Sequence, residues 1–171
     1  MPLFHNEIWR QQIGATLFYW GLLPSLVLGP GLMLDRLLEL QRLPGSPWLV
    51  AISLLLLAAG LGLVCWSTSD LHRFGAGTPS PLRPAKRLIM EGSYRLCRHP
   101  MFLGYDLMLL AAILLLRSPT ALVVSYPLFL VWSLLLLRTE ERVLALRFKD
   151  DYRRYQQEVP FLLPRLRHTK P

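Results

Sequence analysis

Four long stretches almost free of charge constrain this chain more than any other feature: 13–34, 48–66, 101–116 (broken only by Asp106) and 120–137. At the helical rise the first extends about 33 Å, enough to cross a hydrocarbon core. Trp48 and Trp66 bracket the second, as interfacial tryptophans do. The third is short, at about 24 Å, and is expected to gain length from Pro100 or to thin the bilayer locally. With 53% hydrophobic residues the chain is too apolar for an ordinary soluble domain. The expectation is an all-α integral membrane protein, one domain over 1–171, with spans at about 13–34, 48–66, 100–116 and 120–137.

Breaks in these runs are informative. Pro24 and Gly29-Pro30-Gly31 are expected to kink or interrupt the first span, because proline removes a helix donor and clashes with the preceding turn. Only Arg117-Ser118-Pro119 separates the third run from the fourth, so those two are expected to form an antiparallel helical hairpin. Between the second and third runs, 67–99 is polar and rich in glycine and proline, which predicts an ordered but irregular loop on the bilayer surface. Beyond Arg138 the chain turns charged. Val143, Leu144, Leu146, Phe148, Tyr152 and Tyr155 recur at near-helical spacing there, predicting an amphipathic interfacial helix over 139–158 that Pro160 and Pro164 close.

The net charge of +8 and the pI near 10.1 admit nucleic acid as a partner, but the basic residues flank apolar runs rather than forming a module of their own. Anionic lipid headgroups are the expected counter-charge, with no nucleic-acid partner. Four spans put all Lys and Arg except Arg36, Arg42 and Arg117 on one face, which the positive-inside rule assigns to the cytoplasm together with both termini. No signal peptide is evident. Cys65 and Cys97 suggest no disulfide framework, and His5, His72, His99 and His168 lack the spacing of metal ligands, so no metal is expected.

The chemistry concentrates at Gly92 to Gly104. Pro100 reads as the first residue of a helix, where its missing N–H is harmless. Arg98 and His99 then stand at the helix N-terminus, where the dipole and free N–H groups favour an anion. The hairpin returns Arg138, Glu140 and Glu141 to the same side. A cationic cluster facing a carboxylate pair suits a zwitterionic ligand. Each group also has an ordinary explanation taken alone: an interface anchor for Arg98, a solvated helix face for Glu140 and Glu141, and a helix–helix hydrogen bond for Asp106.

Taken together, Gly75-Ala76-Gly77-Thr78-Pro79-Ser80-Pro81, Gly92-Ser93-Tyr94, Arg98-His99-Pro100-Met101-Phe102-Leu103-Gly104, Glu140-Glu141, Tyr152, Tyr155 and Val159-Pro160 resemble the isoprenylcysteine carboxyl methyltransferases and the related phosphatidylethanolamine N-methyltransferases. The resemblance covers about Phe74 to Pro164. It implies a membrane enzyme that takes a methyl group from S-adenosylmethionine, whose amino-acid end is zwitterionic. It also implies cofactor contacts at Lys86, Arg87, Leu88, Ile89, Tyr94, Arg98, His99, Pro100, Met101, Phe102 and Glu140. The chain departs from the pattern at Phe102, where tyrosine is usual, at Lys149, where glycine is common, and at Phe161, where a basic residue often follows Val-Pro. Gly75 and Gly77 read as turn formers.

Methyl transfer from a sulfonium is an in-line displacement, so catalysis rests on positioning and on exclusion of water. A carboxylate acceptor needs a cation, for which Arg138 is the candidate. An amine acceptor must lose a proton, to Asp106 or Glu141. The expected acceptor is lipophilic, a small molecule or lipid. Two other readings remain open on the sequence: an NADPH-dependent membrane reductase of the sterol reductase type, whose tail is similar, and a non-catalytic membrane scaffold.

Overall fold

The computed structural model describes residues 17–75 and 87–164. Lys86, Gly77, the entry segment before Leu17 and the basic tail from Arg165 lie outside the described residues. Everything with regular structure among the described residues is helical. A π-helical turn, Phe18–Leu22, leads into α1 (Leu23–Leu37); α2 (Pro47–Gly75) follows, then a 3₁₀ turn, Gly92–Arg95, and α3 (Pro100–Leu116). A second π-helical turn, Ala121–Ser125, opens α4 (Tyr126–Glu158).

Both π-helical turns stand just before a proline, Pro24 and Pro127. A proline N–H is missing, so the carbonyl four residues back loses its partner and the helix widens to an i→i+5 bond. At Tyr126 this is seen directly, where the backbone N–H donates to the Ala121 carbonyl. Pro30, by contrast, does not interrupt α1, which continues through it to Leu37. The expected interruption is absent because tertiary contact holds that turn. Gly31 lies so close to α4's opening turn that a Cβ there would stand 2.7 Å from the Ala121 Cα.

Among the described residues, two helices are long and apolar enough to cross a membrane: Pro47–Gly75 and Ala121–Glu158. α3, with 17 residues, is shorter, and α1 has 15. Ser46 caps α2, its hydroxyl accepting the Leu49 N–H at 3.1 Å, and Pro47 follows as the first helical residue. α2 also runs past its apolar stretch to Gly75, so the beginning of the expected 67–99 loop is helix instead. Ser67, Asp70 and Leu71 are buried there, and that burial stabilises the extra turns.

α3 packs most extensively against α2, not against α4. Small residues set this approach: a Cβ on Gly104 would stand 2.7 Å from the Gly60 carbonyl oxygen. The hairpin expectation needs that correction. α3 and α4 are consecutive, but their backbones stay apart and large side chains fill the space between them. Tyr105 meets Phe129 at 6.2 Å between ring centroids, and Val27, Leu109, Ile113, Ala121 and Phe129 form the core between α1, α3 and α4. At the far end Asp35 staples α1 to the α3–α4 turn, accepting from the Ser118 hydroxyl and, at 3.0 Å, from the Thr120 N–H.

α4 differs from the separate interfacial helix expected over 139–158. It runs unbroken from Tyr126 and breaks only at Lys149, whose φ of 48° and ψ of −118° are not helical. The break turns the last segment, 150–158, back toward the 3₁₀ turn. Tyr152, Tyr155 and Val159 are buried there with Leu88, Leu144, Ala145 and Phe148 beside them, whereas Val143 and Leu146 stay exposed.

Candidate functional site

The mouth of α3 is assembled from three segments far apart in sequence. The first is α3's own N-terminus. Pro100 is its first residue, His99 precedes it, and no side chain caps the first turn. An uncapped first turn presents N–H groups with no intrahelical partner. The second is the 3₁₀ turn, fixed from below by α2. Asp70 accepts hydrogen bonds from both the Ser93 N–H and the Ser93 hydroxyl, each at 2.7 Å. Gly92 passes directly over that carboxylate with φ of 60°, so close that a Cβ would collide with Asp70. The third is α4 beyond the apolar run, with the segment that folds back after Lys149.

Glu141 joins the first and the third. Its Oε1 lies 2.9 Å from Arg98 Nε and 3.4 Å from His99 Nε2, and it accepts the Tyr152 hydroxyl at 3.2 Å. Gln156 donates to its Oε2 at 3.3 Å. Arg98 and Glu141 are both largely buried, at 10% and 14% side-chain exposure. Burial alone raises a carboxyl pKa, but His99, Arg98 and Tyr152 together outweigh it and hold Glu141 below its ordinary range. Glu141 is thus an ionised hub.

Glu140 is a different kind of group. Its side chain keeps 49% of its surface, and its Oε2 stands 3.9 Å from His99 Nδ1. Desolvation, with the adjacent Glu141 charge, pushes it up from the ordinary carboxylate range against the pull of His99. Hence one carboxylate is consumed in structure, while its neighbour is exposed and short of a cation.

Aromatic residues and the returning chain close the remaining sides. Phe161 lies 5.1 Å from the His99 ring and 5.5 Å from the Arg98 guanidinium, and Phe102 meets His99 edge-on at 6.4 Å. The Arg98 N–H donates to the Pro160 carbonyl at 2.9 Å, and the Tyr155 hydroxyl donates to the Tyr94 carbonyl at 2.7 Å. Cys97 is fully buried behind the turn, and burial pushes its thiol up to about 11, so it is an inert packing group.

The residues singled out from sequence divide accordingly. Arg98, His99, Glu140 and Glu141 come together, with Phe102 alongside. Pro100 is fully buried, Met101 is half-buried beside it, and Tyr94 is held through its backbone. Arg87 is exposed; Leu88 and Ile89 pack inward, Leu88 against the Tyr152–Tyr155 cluster. Arg138 is exposed and makes no ion pair or hydrogen bond among the described residues. Asp106 is buried seven residues along α3 from His99, about 10 Å at the helical rise, and does not join the cluster. Asp70 and Gln156 escaped the sequence reading, and Ser93 entered it only as part of a motif. Their contacts span from 15 to 23 residues, which no local spacing rule reaches.

Residues 48–151 match the family described as phospholipid methyltransferase (PEMT), which takes in α2, the loop, α3 and most of α4. The chain belongs to the phospholipid methyltransferase family. Membership agrees with the resemblance read from the motifs, and it makes the protein a membrane methyltransferase by family, one whose members act on lipids. The family match covers Arg98, His99, Glu140 and Glu141, but stops short of Tyr152, whose hydroxyl donates to Glu141, and of Tyr155, whose hydroxyl donates to the Tyr94 carbonyl. Comparison with curated proteins and with solved structures returned no match.

Proposed function

We propose that this protein is an integral-membrane methyltransferase that uses S-adenosylmethionine and acts on a carboxylate or amine of a lipophilic acceptor. In this reading α1 to α4 are four crossings with both termini cytoplasmic, and 150–158 lies at the cytoplasmic surface. The observation that carries it is the pairing of an uncapped α3 N-terminus with a half-exposed carboxylate, Glu140, across His99.

That donor set fits the amino-acid end of S-adenosylmethionine. First-turn N–H groups of α3, beside Arg98 and His99, suit the carboxylate; Glu140 suits the ammonium, whose arrival supplies the cation it lacks. Lys86 to Ile89, Tyr94 and Pro100 to Phe102 complete the assignment, on the resemblance. When bound, the cofactor supplies an electrophilic methyl group on a sulfonium. Glu141 acts by holding Arg98 and His99 in place, since its carboxylate lies against both while accepting from Tyr152 and Gln156. The aromatic rings of Phe102 and Phe161 exclude water beside them. For the acceptor, Arg138 is the candidate cation for a carboxylate and Asp106 the candidate base for an amine.

Calorimetric titration of the detergent-solubilised protein with S-adenosylmethionine and S-adenosylhomocysteine tests this, alongside Glu140→Ala and His99→Ala. Saturable binding that weakens at least about tenfold in each variant is expected, the scale of a lost charge-assisted hydrogen bond. A folded wild type that binds neither compound overturns the proposal.

A further inference from the structure

The end of α3 opposite the candidate site carries a charge that the fold leaves unanswered. Arg117 closes α3 in the left-handed conformation, with φ of 55°. Its backbone is pinned on both sides: the N–H donates to the Leu114 carbonyl at 3.2 Å, and the carbonyl accepts the Leu43 N–H at 3.0 Å from the α1–α2 connection. The side chain lies against that same connection. A Cβ on Gly45 would stand 2.5 Å from Arg117 Nη1, so the missing side chain at Gly45 is what leaves the guanidinium its place.

No side chain among the described residues pairs with this cation. Arg117 is half-buried, and its side chain makes no ion pair or hydrogen bond there. The carboxylate at this end, Asp35, is buried and occupied, accepting from the Ser118 hydroxyl and the Thr120 N–H. Arg42, exposed on the α1–α2 connection, adds a second cation and acts on the Asp35 charge. Of the remaining charges at this end, Arg36 and Glu39 are both exposed and offset each other.

Depth decides the chemistry of the missing partner. α3 has 17 residues, about 26 Å at the helical rise, against about 30 Å of hydrocarbon. In the four-crossing arrangement, with the α3 mouth at one surface, Arg117 comes level with the opposite edge of the hydrocarbon, where an unpaired cation is costly. Trp48, three residues from Gly45 and 79% exposed, is the kind of ring that settles at that boundary. The anion within reach there is a lipid phosphate, which a planar guanidinium grips through two N–H groups.

We infer that Arg117, laid against Gly45 and with Arg42 on the same connection, is a binding site for the phosphate of a lipid at the end of α3 opposite the candidate methyl-transfer site. The length of α3 separates this lipid from the methyl acceptor. The inference uses the four-crossing arrangement and is independent of the reaction.

The test uses the full chain in an uncharged detergent, titrated calorimetrically with a single-chain lysophosphatidate, a monoacylglycerol of equal chain length and inorganic phosphate. S-adenosylhomocysteine is titrated in parallel. Wild type is expected to bind the lysophosphatidate at least about tenfold more tightly than either other probe. Arg117→Gln should lose that preference. Gly45→Val should lose most of it as well, because the new side chain displaces the guanidinium while the net charge is unchanged, and S-adenosylhomocysteine affinity should stay the same in both variants. A preference undiminished in Arg117→Gln, or a wild type that binds the monoacylglycerol equally well, overturns the inference. Equal affinity for inorganic phosphate overturns the lipid as its source, and a preference kept in Gly45→Val overturns the placement against Gly45. Gly45→Val meets only the movable end of an arginine, so it decides even if Arg117→Gln fails to fold. An Arg117-dependent preference in a protein that ignores S-adenosylhomocysteine supports the site and sinks the methyltransferase reading instead.

Discussion

At the scale of single residues, Lys149 and Glu141 do the most for the site. Lys149 occupies a backbone conformation that costs a non-glycine residue about 1–3 kcal/mol, at the position where the resembling methyltransferases commonly carry glycine. The strain persists because the buried Tyr152–Tyr155–Val159 cluster holds the returning segment in place. Lys149→Gly is therefore expected to stabilise the protein by about 1 kcal/mol, less any entropy that glycine adds to the unfolded chain. Thermal unfolding in detergent checks this, and a lower midpoint than wild type contradicts it. For Glu141, a folded-state pKa below the ordinary 4.5 means its stabilisation is fully present above 4.5 and is lost as the pH falls through the folded value. Acid titration of wild type should show that loss, and Glu141→Gln should be less stable at neutral pH with a flatter acid limb. An unchanged acid limb in Glu141→Gln removes Glu141 as the pH-sensitive hub.

Among elements, the α2–α3 pair is the frame on which the site is mounted. Its close approach depends on Gly60 and Gly104, each of which would drive a Cβ into the other's carbonyl oxygen. Gly104→Val should destabilise by about 1–3 kcal/mol or more and displace α3's N-terminus, so that cofactor binding and thermal midpoint fall together. A variant with wild-type midpoint and affinity argues that the pair is looser than described. The same elements show how far local sequence carries. The apolar runs and the start of α3 at Pro100 were legible because span length and proline chemistry act over a few residues. Passage of α1 through Pro30 and the choice of α2 over α4 as partner of α3 were not, since both depend on which small residues meet in space.

For the whole molecule, the site exists only because three distant segments are latched together. Asp70 holds the 3₁₀ turn from α2, Tyr155 ties that turn to the returning end of α4, and Glu141 closes the remainder. Tyr155→Phe deletes one latch without opening a cavity, so it should cost about 1 kcal/mol and weaken S-adenosylmethionine binding by about three- to tenfold, read by calorimetry. Unchanged affinity places Tyr155 in stability alone. The sequence by itself determined the all-helical membrane class, the family and the four polar side chains of the α3 mouth, because long apolar runs and a dense motif leave few alternatives. Only the tertiary structure decided that Glu141 is consumed as a hub while Glu140 stays half-exposed, that Arg138 stands apart, and that Asp106 is buried without a partner. Those distinctions depend on burial and on contacts across the fold, and adjacent residues of identical type differ in both.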